Sequence, residues 1–86
     1  MSGVEEVRAG VTRAAEQARQ ASGAIAQADM ALEAALQMLS GAMHGSSQSE
    51  AQQAIGALQQ ARQGLTESQQ NIQVAVSVAE GYASRL

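Results

Sequence analysis

The stretch MHGSSQSE, residues 43–50, is the one place in the chain where a long apolar rhythm stops and then restarts. On its N-terminal side, small or apolar residues recur at spacings of three and four from Val4 and Val7 to Leu39 and Ala42. On its C-terminal side the same spacing runs from Ala51 and Ala54 to Tyr82 and Leu86. This is the seven-residue repeat of an amphipathic helix, with positions lettered a to g. In the first segment Val4, Val11, Ala18, Ile25, Leu32 and Leu39 take a, while Val7 and then only alanines take d. In the second, Leu58, Leu65 and Ile72 take a, and Ala54, Ala61, Ser68, Ala75 and Tyr82 take d.

MHGSSQSE therefore either links two independent units or bends one helix back onto another. Gly45 stands where a left-handed residue ends a helix. Ser47 and Glu50 form an S-x-x-E capping box for the next helix, as Ser2 and Glu5 do for the first. The reading is a single unit over residues 1–86, with helix one at about 3–43, a turn at about 44–47 and helix two at about 48–84. A short polar turn between long helices of similar length makes them antiparallel neighbours. The sizes agree with that: if facing residue numbers add to about 93, bulky side chains meet alanines, as in Leu39 with Ala54 or Leu32 with Ala61. The same register brings Asp29 and Arg62, both at e, close enough for an ion pair. The expected seam is Val11, Ile25, Leu32, Leu39, Leu58, Leu65, Ile72 and Tyr82. The fold class is all-α, a two-helix antiparallel coiled-coil hairpin.

One hairpin buries only its seam, yet Leu36, Met43, Ile55 and Val76 fall at e, and Met38 and Val78 at g. Each such side chain yields about 1.5–3 kcal/mol when fully buried. A second hairpin covers them most economically, so the expectation is a homodimeric four-helix bundle with these six residues at the contact between chains. A heterologous helical protein is the other partner this surface suits.

Composition excludes more than it identifies. There are 86 residues, no Cys, no Pro and one Tyr as the sole aromatic side chain, so disulfides and thiolate metal sites are ruled out. With five Arg, no Lys and a net charge of -3, no basic patch stands ready for a phosphate backbone. Nucleic acid is not an expected partner. No apolar run approaches the roughly 20 residues that span a bilayer. The start, MSGVEEVRAG, has acids where an export signal has a basic region and an apolar run, so a cytoplasmic location is expected, or else secretion without a cleavable signal.

His44 is the sole histidine; Gly41 precedes it by three residues, where a di-iron bundle needs Glu. Beside it the turn offers Ser46, Ser47, Ser49 and Glu50, but no enclosing pocket for a nucleophile triad. The chain is read as a non-enzyme with no catalytic, cofactor-binding or metal-binding residues, acting as an interaction or scaffold module.

In its heptad layout over both helices the chain resembles Rop-like hairpins, which dimerise into four-helix bundles with alternating large and small layers. Rop-like RNA binding is not implied, since the basic, aromatic-bearing helix face is missing. The chain also looks like the small Ala- and Gln-rich helical hairpins of actinobacteria, including the WxG class exported by type VII secretion. Its turn reads HGSS in place of W-x-G, and Tyr82 is followed four residues later by Leu86 in place of an acid. That likeness implies the alternative role, a leaderless secreted or adaptor hairpin that pairs with a larger protein.

Overall fold

A computed structural model describes residues 3–45 and 48–86. Two helices, α1 (Val4–Ala42) and α2 (Ser49–Ser84), fold into a hairpin of 64 × 17 × 16 Å. At 1.5 Å per residue a helix the length of α1 spans about 58 Å, so the ribbon is as long as its helices.

α1 starts behind Gly3, whose extended backbone serves as N-cap without a side-chain hydrogen bond, and Glu5 and Glu6 complement the positive end of the helix dipole. The capping serines expected from the sequence, Ser2 and Ser47, lie outside the described residues. α2 starts behind Gln48, with Glu50 in its first turn. At the other end of α1 the amide of Met43 donates to Leu39 O at 2.9 Å and that of His44 to Gly41 O at 3.3 Å. Gly45 then turns the chain with φ of +82°, the left-handed conformation that a Cβ disfavours.

Cross-helix contacts fix the antiparallel register. Arg62 meets Asp29, as the expected register has it, and Gln69 with Ser22 and Arg8 with Ala83 share the same sum of 91. The sides of the helices that face each other differ from expectation. Among the d residues Ala14, Ala21, Ala28, Ala42, Ala61, Ser68, Ala75 and Tyr82 are exposed. The positions that share the seam with a are those at e. Among the described residues Ala15 and Ala83 at e and Ala51 at a are the three that are buried, and Ser22, Asp29, Leu36, Met43, Ile55, Arg62, Gln69 and Val76 continue the e stripe half-buried, with Arg8 exposed at its open end. Both helices are thus turned about their own axes by about 50°, half the step between consecutive residues, relative to an a/d coil.

The physical reason is that alanine at d offers little area to bury, whereas leucine, isoleucine, valine and methionine at e offer much more. The polar members of the e stripe do not oppose this, because they bond to one another across the seam.

Candidate interaction surface

Of the eight residues expected in the seam, Val11, Ile25, Leu32, Leu39, Leu58, Leu65 and Ile72 are half-buried along it. Tyr82 is the exception, 51% exposed. The six residues expected at a contact between chains divide. Leu36, Met43, Ile55 and Val76 continue the e stripe and are half-buried within the single hairpin, whereas Met38 is 73% and Val78 66% exposed. Val74, 61% exposed, precedes Val78 and Tyr82 at intervals of four, so the three make an apolar ridge along α2 near its open end.

The ribbon has two unlike faces. In an antiparallel pair the local two-fold axis is normal to the ribbon, so the d side of both helices lies on one face and the b side of both on the other. The recesses follow this division. One of about 210 Å³ is lined by Ala14, Ala15, Ala18, Ala75, Val76 and Ala79, drawing d residues from both helices. Another, of about 330 Å³, draws Ala26 and Thr66 from b beside Ile25, Asp29, Leu65 and Gln69.

The b face holds the polar cross-links. Arg62 Nε donates to Asp29 Oδ1 at 2.8 Å and its Nη2 to Oδ2 at 3.3 Å, with Glu33 Oε2 at 3.6 Å from the same nitrogen. The hydrogen bond from Arg62 lowers the Asp29 carboxyl below its ordinary 3.8; partial burial opposes this, and the guanidinium charge reinforces it. One helical repeat further on, the Ser22 hydroxyl donates to Gln69 Oε1, while Gln69 Nε2 donates to Ser22 O at 2.7 Å. Toward the open end Arg19 Nη2 pairs with Glu80 Oε2 at 2.8 Å, and Arg8 Nε donates to Ala83 O at 3.2 Å.

The d face differs in kind. No Asp, Glu, Lys or Arg occupies any d position, and at g the only charges are Glu50 and Arg85, at the two ends of helix two. Its centre is alanine, its turn end carries Met38, and its open end carries Val78 and Tyr82.

The pairing of Ser22 with Gln69 and the buried alanines were not foreseen. The signal was present as a repeat: Ser22, Asp29, Arg62 and Gln69 all stand at e, two from each helix, and are complementary in pairs. His44 is exposed at the turn. Among the described residues no three His, Cys, Asp or Glu side chains gather as a metal site, and no helix is long and apolar enough to cross a membrane. Comparison with protein-family models, with curated proteins and with solved structures gives no match, so the hairpin's own surfaces carry the functional argument.

Proposed function

We propose that this chain is a non-catalytic helical interaction or scaffold module that works as a homodimer, two hairpins forming a four-helix bundle. The observation that supports it is the absence of a self-contained core. Only three alanines are buried among the described residues, and no large side chain is fully enclosed. Every bulky apolar residue of the seam keeps part of its surface in water.

Area gives the same answer. A compact globule of 8.8 kDa exposes about 4,800 Å². This hairpin exposes 6254 Å². The excess, about 1,500 Å², is more than the roughly 800 Å² that each partner contributes to a standard interface. Association therefore supplies the burial that 86 residues in two helices do not supply alone.

The test is the molar mass by light scattering behind a sizing column, repeated over a hundredfold dilution. A constant mass of two chains supports the reading. A mass of one chain throughout overturns the homodimer and redirects it to a hairpin that pairs with a larger, different protein.

A further inference from the structure

We infer that the two copies meet through the face whose d positions are charge-free, the side of the ribbon carrying the d residues with Met38, Val78 and Tyr82 and charged only at its ends by Glu50 and Arg85, and that the face bearing the ion pairs stays in water. This rests on the homodimer proposed above and names its surface. Two features of the molecule select the face.

The first is charge. A two-fold interface buries the same patch on both copies, so every charge within it is taken out of water twice. Burying the b face places the Arg19–Glu80 pair and the Asp29–Arg62–Glu33 group in a drier environment, where desolvation offsets much or all of their attraction. The d face has no such penalty. With a net charge of -3 on each chain, a self-association that brings only Glu50 of each chain to its margin is also the one less opposed by long-range repulsion.

The second is shape and size. A ribbon of 64 × 17 Å presents a footprint on the order of 1,000 Å², sufficient for the roughly 800 Å² per partner of a stable complex. Alanines at Ala21, Ala28 and Ala61 let the helices of two copies approach closely, at the short end of the 8–10 Å range of packed helices. The apolar recess of about 210 Å³ between Ala14, Ala18, Ala75 and Ala79 lies on this same face. It has room for a long apolar side chain from the opposing copy. Face-to-face packing lays Met38, Val78 and Tyr82 of each chain on the alanine floor of the other, burying the two most exposed large apolar side chains, Met38 and Val78, while Met30 beside the polar recess stays in water.

The experiment places one substitution on either face at the same level of α1. Ala28→Arg is on the d face and Ala26→Arg on the polar face, and both positions are exposed in the single hairpin, so neither new side chain has to enter the seam. Mass by light scattering is followed over dilution, with helical content by circular dichroism. The expected result is that Ala28→Arg raises the concentration for half-dissociation at least a hundredfold at unchanged helicity, while Ala26→Arg leaves it within threefold. Met38→Gln, a milder change, is expected to raise it about tenfold and covers the case in which Ala28→Arg loses helicity. A dimeric original chain whose Ala28→Arg and Met38→Gln variants stay dimeric overturns this face and leaves the homodimer standing. An original chain that is monomeric at every concentration overturns the homodimer itself.

Discussion

The Arg62 guanidinium holds both oxygens of Asp29 across the two helices, at 2.8 and 3.3 Å, near the middle of the ribbon. A forked contact of this kind is satisfied at one relative height of the helices, so it sets register more sharply than alanines and leucines, which slide past one another at little cost. Arg19 with Glu80 and Gln69 with Ser22 repeat the constraint on the same face. The ribbon is held in register by its polar side, which leaves its apolar side free of any duty within the hairpin.

This pair makes stability pH-dependent in a stated direction. Asp29 titrates lower in the folded chain than its ordinary 3.8, chiefly through the hydrogen bond from Arg62. A carboxyl with a lowered folded value contributes fully above its unfolded value, and the contribution is lost as pH falls through the folded value. Melting temperature followed from pH 7 down to about pH 2 should fall more steeply, below about pH 4, for the original chain than for Asp29→Asn. The difference between the two curves isolates this residue from the other seven acids. Parallel curves would show that the contact does not form in solution.

Leu36 distinguishes the observed seam from an a/d seam. Half-buried at e, it supports the hairpin itself, so Leu36→Ala should cost about 1–2 kcal/mol, below the 2–5 kcal/mol seen at fully buried sites. That corresponds to a fall of about 4–8 °C in melting temperature for each kcal/mol. Gln37→Ala, the next residue and exposed, should shift stability by no more than about 0.5 kcal/mol. The loss at Leu36 should persist on dilution to single chains. A loss that vanished on dilution would place Leu36 at the contact between chains instead.

Helices, bend and central ion pair were all legible in the sequence, each for a local reason. Uninterrupted three-four spacing without proline dictates two long helices, Gly45 marks the left-handed turn, and Asp29 with Arg62 is a lone complementary pair at matching heights. The rotation from a/d to a/e was not legible. Hydropathy scores alanine as apolar, so Ala14, Ala21 and Ala28 read as seam although they have little to bury. Ser22 and Gln69 read as flank, because one helix alone does not reveal that its uncharged polar residues are answered by the other. A chemistry or a named partner was not legible either: the d positions are mostly alanine, and alanine specifies shape and dryness only.

Two glycines test the local reading with the same atomic change and opposite signs. Gly45 has φ of +82°, where an L side chain is strained by about 1–2 kcal/mol, so Gly45→Ala should destabilise by about 1 kcal/mol even though an added Cβ meets nothing within 4 Å. Gly23 lies inside α1 on the outward side, also with nothing within 4 Å of an added Cβ. There the backbone entropy that glycine loses on entering a helix decides the sign, so Gly23→Ala should stabilise by up to about 1 kcal/mol. Urea unfolding measures both, as midpoints moving in opposite directions at an unchanged slope, since neither methyl alters the surface exposed on unfolding. A midpoint that rose for Gly45→Ala would mean that the turn does not use a left-handed residue there, and the bend would have to be assigned to another position.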